Sequence, residues 1–348
     1  MFASVFGSVE AGIIYSIMAL GVYLSFRILN FPDMTVDGSF VTGAAVASIL
    51  ITGGTSPILA TFSAIFVGFF VGIITGLLHT KGKINPLLSG ILMMIALYSI
   101  NLRILGKPNV SLLSEDTIFT QLGTWWASLG IDNWIASLFT NIGLEGYIPH
   151  TWSIVLPMML FVIVGKMLLD AFLKTEIGLA IRGTGDNEQM VRSFSVHTDM
   201  TKMLGLGIAN ALVALSGAFV AQYIGSADVG MGIGMIVIGL ASVIIGEAVF
   251  GSKSIARATL AVIGGAILYR LVVAFSLKVE FLEAGDMKLI TAVIVIIALL
   301  IPKWIDSTKK SRKRRNRMKV LNAEAVKPSI NENGGEQLAA TKSDIKSV

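Results

Sequence analysis

Residues 57–78 read PILATFSAIFVGFFVGIITGLL, twenty-two positions without one charged side chain. Wound at 1.5 Å per residue, such a stretch is about 33 Å long, enough to cross a hydrocarbon layer of roughly 30 Å. Further apolar segments lie near 5–27, 39–52, 86–106, 152–173, 204–224, 236–250, 255–277 and 287–305. The 348-residue chain is 54% hydrophobic and 14% charged, where soluble domains carry about a quarter charged residues. That leaves too little polar surface for a water-soluble globule, and a bilayer removes the problem. The sequence therefore predicts an all-α polytopic membrane protein with about nine membrane segments. Residues 1–305 form its transmembrane domain, and 306–348 form a tail that is first basic and then disordered.

Two segments, 39–52 and 236–250, are shorter than a full span and follow stretches containing Gly, Pro or Asp. They are expected to be helices broken within the membrane or inserted part way. Each is followed by a Gly-containing turn and a long segment, at 39–78 and again at 236–277. Alternation through nine segments gives these two copies opposite orientation, the pattern of an inverted repeat.

Orientation follows from the loops. Lys81 and Lys83, then Lys174, Arg182, Arg192 and Lys202, then Lys253 and Arg257 mark three loops as cytoplasmic, together with the basic run 309–319 (KKSRKRRNRMK). The loop at about 107–151, with Trp125, Trp126, Trp134, Phe139, Asp116 and Glu145, is expected outside, as is 278–286 with Glu280, Glu283 and Asp286. The first segment has no basic residue before it and Arg27 after it, unlike a secretory signal, so it reads as a retained helix with its N-terminus outside. The C-terminus is then cytoplasmic, and the location a bacterial plasma membrane. The basic run reads as an orientation and lipid-headgroup element rather than a nucleic-acid site.

The chain has no cysteine, which excludes thiol nucleophiles and thiolate metal sites, and three scattered histidines that form no ligand-spaced set. No HExxH or G-x-S-x-G is present, and neither an enzyme nor a resident metal or cofactor is expected. The nearest approach to a phosphate loop, Gly246 to Ser254, has its lysine displaced by one position and lacks the strand such a loop needs.

Two stretches stand out. The first is Leu29-Asn30-Phe31-Pro32-Asp33-Met34-Thr35-Val36-Asp37-Gly38-Ser39. Pro32 disfavours helix at Phe31 and removes a backbone donor. Asp33 and Asp37 stand one helical turn apart near the start of the next segment, where backbone N–H groups lack partners. Asn30, Pro32, Asp33, Thr35, Asp37 and Ser39 are expected to line a substrate pathway, the alternative being that both aspartates cap a helix and hold a tight loop. The second stretch lies in the loop at about 174–203. Asp186 and Gln189 fit a capping box opening a short helix, with Gly183 and Gly185 as a flexible approach. Gly183, Gly185, Asp186, Asn187, Glu188, Gln189 and Arg192 are expected to form a cytoplasmic handle.

Leu29–Ser39, running into Val41-Thr42-Gly43-Ala44-Ala45, resembles the signature of branched-chain-amino-acid-type ABC importer permeases. The run Gly178, Arg182, Asn187, Ser195-Val196 and Ala214-Leu215-Ser216-Gly217-Ala218 resembles that family's coupling region and following helix. The Phe-Pro-Asp-Met-Thr-Val-Asp-Gly-Ser-Phe form is most similar to a tryptophan/tyrosine-type subgroup, and departs from the Ala-His-Gly-type motif usual in branched-chain members. The resemblance covers most of residues 5–305. It implies a permease for a small polar solute, an amino acid or a relative, working as a dimer with separate ATPase subunits and an extracytoplasmic binding protein. The competing class is an ion-coupled secondary transporter using Asp33, Asp37 or Glu247 as proton sites.

Glu10, Arg103, Glu247 and Arg270 lie within apolar segments and should face protein or water. Arg103 and Arg270 are expected to snorkel at outer helix ends, and Glu247, close to the cytoplasmic turn, either to pair with Lys253 or to serve transport. Gly68, Gly72 and Gly76, Gly205 and Gly207, and Gly264 and Gly265 suit close helix packing. The 107–151 loop is expected to carry a short interfacial helix, a candidate docking surface for a binding protein.

Overall fold

The computed structural model describes residues 2–132, 151–276 and isolated positions between 289 and 296. The expectations for 133–150 (Trp134, Phe139 and Glu145 included), for 278–286, for most of 287–305 and for the 306–348 tail lie outside the described residues.

Helix α1 (Phe2–Val22) runs on into a π-helical turn, Tyr23–Ile28. The turn is closed by Leu29 N–H donating to the Leu24 carbonyl at 3.0 Å and Phe31 N–H donating to the Ser25 carbonyl at 2.9 Å. Pro32 has no N–H to continue the ladder. Asn30 turns the chain with φ 53°, a left-handed conformation that asparagine tolerates better than most residues. The chain then re-enters helix as α2 (Thr35–Thr52).

Helices α3 (Pro57–Thr80) and α4 (Pro86–Leu105) start alike. Each has proline at its first position and a polar cap before it: Ser56 Oγ accepts from Leu59 N–H, and Asn85 Oδ1 from Leu87 N–H. After β1 (Asn109–Ser111) comes α5 (Ile118–Leu129), opened by a reciprocal Thr117–Thr120 capping box. Then follow α6 (Val155–Phe172), α7 (Glu176–Asp186), α8 (Glu188–Ser193), α9 (Thr198–Ile224), β2 (Ser226–Asp228), a 3₁₀ turn (Val229–Gly232), α10 (Met235–Phe250) and α11 (Ile255–Ser276). Strands β1 and β2 pair antiparallel, Asn109 opposite Asp228, and tie the outgoing ends of α4 and α9 together.

Among the described residues, eight helical stretches are long and apolar enough to cross a membrane. They coincide with eight of the nine expected segments. The ninth, 287–305, lies mostly outside the described residues. Helix α9 is central, packed against α1, α2 and α3, while α11 packs against α1 and α10. The glycines explain the closeness. A methyl group at Gly68, Gly72 or Gly76 of α3 would collide with Asn210 and Ala214, Leu206 or Met203 of α9. At Gly265 of α11 it would collide with the Ser242 carbonyl of α10.

The two segments expected to be shorter than a span are longer than expected, α2 with 18 residues and α10 extended by its 3₁₀ turn to 22 residues over Val229–Phe250, and both are among the stretches long enough to cross. Both begin inside the bundle. Asp33, just before α2, hydrogen-bonds Asn210, which lies twelve residues past Thr198, or about 18 Å along a helix of about 40 Å. The α2–α3 and α10–α11 hairpins have the matching lengths expected of a repeated unit.

Candidate functional site

Asp33 is 1% exposed and lies in the gap left by the broken helix. Its Oδ1 accepts from Thr35 N–H at 2.9 Å, and its Oδ2 accepts from Asn210 Nδ2 at 2.7 Å. Asn210 Oδ1 in turn accepts from Ser39 Oγ at 2.6 Å, and its Nδ2 also donates to the Leu206 carbonyl. The hydroxyls of Thr35 and Thr75 meet at 3.0 Å. One polar network thus joins the break, the first turn of α2, the middle of α9 and α3. Every hydrogen-bonding group in it replaces water that a buried carboxylate would otherwise lack.

Asp37 does something different. Its Oδ2 accepts from Gly234 N–H at 2.9 Å and its Oδ1 from Ile236 N–H at 2.8 Å. It therefore caps α10, whose first turn leaves backbone donors without helical partners. Gly234, at φ 88°, provides the left-handed turn that aims these groups at it. The two expected roles of the aspartates thus divide. Asp33 holds its own turn and the α9 contact, and Asp37 clamps one short helix to the other across 197 positions. Beside this clamp lies a cavity of about 430 Å³, walled by Asp37, Gly38, Tyr98, Asn101, Gly232 and Ile233 among others.

At the other end of α2's preceding break sit α7 and α8. The capping expectation needs correction: Asp186 is the last residue of α7, not a cap. Asn187 is the N-cap of α8, its Oδ1 accepting from Met190 N–H at 3.0 Å, and Thr175 caps α7. Sequence reasoning placed one helix where two short ones meet, because Asp186 and Asn187 are both good capping types. Gly183 and Gly185 likewise lie inside α7 rather than in a flexible approach. Gly185 is required by closeness, since a methyl group there would overlap the Ile28 carbonyl oxygen and Leu29. The surface helix rests directly on the break.

A second link runs through Glu188. Its Oε1 accepts from Arg192 Nη2 at 2.8 Å and Thr198 Oγ1 at 3.2 Å, and its Oε2 from Lys202 Nζ at 2.8 Å. Burial by itself would raise this carboxyl, but the hydrogen bond and charge of Lys202, with Thr198 and Arg192, hold it below its ordinary 4.5. Lys202 Nζ also approaches His79 Nε2 at 3.4 Å, and the His79 ring meets Phe31 edge-on at 5.3 Å. His79 Nδ1 donates to the Ile84 carbonyl, which can only accept, so Nε2 is left to receive the lysine proton. The α8 helix is thereby connected to Phe31, two residues before Asp33.

The structure thus brings Pro32, Asp33, Thr35, Asp37 and Ser39 to the interior break, while Asn30 is exposed and lines a pocket with Arg182, Gly183, Gly185 and Asp186 instead. It gathers Gly183, Gly185, Asp186, Asn187, Glu188 and Arg192 on the paired short helices. Gln189 is exposed on α8. Asn210, Asn101 and Thr75 went unnoticed in the sequence, because a lone polar residue within an apolar run has no local signature. The buried Lys166–Asp170 pair of α6 was missed for the same reason. Its Nζ–Oδ2 distance is 2.6 Å, and Asp170 also accepts from Thr259 Oγ1 of α11. Two expectations about charges are corrected. Glu247 pairs with Arg27 at 3.0 Å, not with Lys253. Arg270 does not snorkel but lies over the Tyr15 ring, its Cζ 3.6 Å from the centroid. Arg103 is exposed, in keeping with its place at the end of α4. In the 107–151 loop, α5 is the expected short helix, with Trp125 exposed and Trp126 buried, its Nε1 donating to Asp132 Oδ1.

The model of the family described as branched-chain amino acid transport system / permease component matches residues 4–301. The chain belongs to that family. It is a membrane-embedded permease subunit of the ABC importer class, a transport family whose members work with ATPase partner subunits. It is 42% identical over 299 residues, 86% of this chain and 91% of the relative, to the tyrosine transport system permease protein of Clostridioides difficile (strain R20291). It is 31% identical over 296 residues, 84% of this chain and 95% of the relative, to an uncharacterized protein of Rickettsia prowazekii (strain Madrid E). Among solved structures, an inward-facing metal-chelate type ABC transporter is similar at a TM-score of 0.45 and 16% identity, over 86% of this permease and 85% of that chain.

Proposed function

We propose that this permease moves an amino acid with an aromatic side chain, tyrosine or a close relative, inward across a bacterial plasma membrane. Two copies of the chain pair with two ATPase subunits, and an extracytoplasmic binding protein delivers the solute. The name of the 42%-identical relative supports the solute class. In this reading the N-terminus is outside and the C-terminus cytoplasmic, so that α7 and α8 face the ATPases.

The observation that carries the mechanism is Gly185 resting on the Ile28 carbonyl. An ATPase subunit gripping α7 and α8 pushes on the break that precedes Asp33. Since Asp33 and Asp37 tie that break to α9 and α10, the push is delivered to both short helices at once. ATP binding and the binding protein each favour one arrangement of the bundle, and that differential affinity biases the equilibrium between inward-open and outward-open states. No covalent chemistry is asked of the chain. The exposed face of α5 around Trp125 is the docking surface for the binding protein.

Reconstitution in liposomes tests the reading. Uptake of labelled tyrosine should require the ATPase, the binding protein and ATP together. Uptake by the permease alone along a proton or sodium gradient would replace it with an ion-coupled transporter.

A further inference from the structure

The cavity beside Asp37 has a composition that nothing so far has used. Tyr98, Ile95 and Met94 of α4 and Ile233 of the loop before α10 give it apolar walls, and Asp37 and Asn101 stand at its polar end. Tyr98, Ile95 and Ile233 are exposed, so the cavity opens on that side. Asn101 is 1% exposed, and its amide orientation is fixed. Nδ2 donates to the Gly38 carbonyl at 3.1 Å, which can only accept, and Oδ1 is left buried without a hydrogen-bond partner. A buried acceptor without a donor is costly and rare in a native fold. Asp37 accepts the backbone N–H groups of Gly234, Met235 and Ile236 and has no ion-pair partner among the described residues. Of the roughly four acceptor sites of a carboxylate, one is left for a further donor. No lysine or arginine lies among the described lining residues.

We infer that this cavity is the permease's own solute subsite, and that it reads the ammonium group and the apolar side chain but not the carboxylate. The ammonium donates to the Asp37 carboxylate and to Asn101 Oδ1, reaching the latter as a neighbouring side chain rotates aside. The aromatic ring lies against Tyr98, Ile95 and Ile233. At about 430 Å³ the space suits a ligand of this size. The N-terminus of α10, whose partial positive charge would suit a carboxylate, is already occupied by Asp37. This inference rests on the proposed amino-acid solute, and it separates cation recognition from anion recognition within that class.

The test uses the full permease with its ATPase subunits in lipid nanodiscs, without a binding protein, and labelled L-tyrosine as probe. Tyramine, which lacks the carboxylate, should displace the probe about as well as unlabelled tyrosine does. 3-(4-Hydroxyphenyl)propionate, which lacks the ammonium, should need at least about tenfold more, the worth of one charged hydrogen bond. Asn101→Leu should weaken probe binding about tenfold, and Tyr98→Ala, on the exposed wall, about three- to tenfold. Co-purification of the ATPase subunits reports that each variant has folded. Equal displacement by the two analogues, wild-type binding by both variants, or no probe binding by the wild-type complex would overturn the subsite. The last result leaves the importer reading to ATP-dependent uptake with the binding protein present, so the two can fail separately.

Discussion

Asn210 satisfies three groups at once: the Asp33 carboxylate, the Ser39 hydroxyl and the Leu206 carbonyl. Replacing it by leucine leaves a buried carboxylate with only the N–H and side-chain hydroxyl of Thr35, which should cost about 3 kcal/mol in stability. Asn210→Leu should therefore melt earlier in detergent and lose ATP-driven uptake, and wild-type behaviour in both would remove the network from the mechanism. Gly185 makes the complementary point, because there the important feature is an absent side chain. Gly185→Ala must push α7 off the Ile28 carbonyl. ATP hydrolysis should persist while solute moved per ATP falls several-fold, measured as the ratio of uptake to phosphate release in the same liposomes. A proportional fall in both would mean that the contact serves folding alone.

Helix α7 is held to the bundle by Ile181, buried among Leu29, Phe31 and Leu206, and by the Thr184–Thr201 hydrogen bond, and α8 by Glu188 and its contacts with Lys202, Arg192 and Thr198. The Glu188 carboxyl is held below its ordinary 4.5 in the folded protein. A depressed carboxyl favours the folded state above the unfolded value, and that contribution is lost as pH falls through the folded one. The protection of amides over 176–193, taken as the exchange rate relative to the intrinsic rate at the same pH, should therefore fall as pH drops below the ordinary 4.5 and the carboxylate takes up a proton. In Glu188→Gln the same segment should be poorly protected even at neutral pH. Protection in the wild type that does not change with pH would show that the anchor lies elsewhere. The short helices α2 and α10 depend on a different device, the long-range cap at Asp37. Each begins against the other inside the bundle.

For the whole molecule the open matter is which way it faces. The chain has no cysteine, so single introduced cysteines report without interference. Ser193 on α8 and Ser114 beyond β1 are both exposed. In cells, Ser193→Cys should resist a membrane-impermeant maleimide until the membrane is opened, while Ser114→Cys should label at once. The reverse pattern would invert the orientation and put α7 and α8 out of reach of any cytoplasmic ATPase. The hairpins α2–α3 and α10–α11 meet where Asp37 accepts from Gly234 and Ile236, so a small displacement of the break before α2 reaches both.

Much of this was legible in the chain itself. Uncharged runs such as 57–78 specify spanning helices, because a bilayer admits only backbone that satisfies its own hydrogen bonds. Pro32 specifies the break for an equally local reason, the missing donor, while the lengths read for 39–52 and 236–250 fell short of the helical stretches 35–52 and 229–250. The partners were not legible. Nothing near Asp37 in sequence points to Gly234, nothing near Asp33 points to Asn210, and Asn101 is one polar residue in an apolar run. Local physics decides whether a segment is helix and how long it is. Only the packed bundle decides which distant donors meet which buried carboxylates, because those choices depend on helices approaching closely enough at glycines to exclude water.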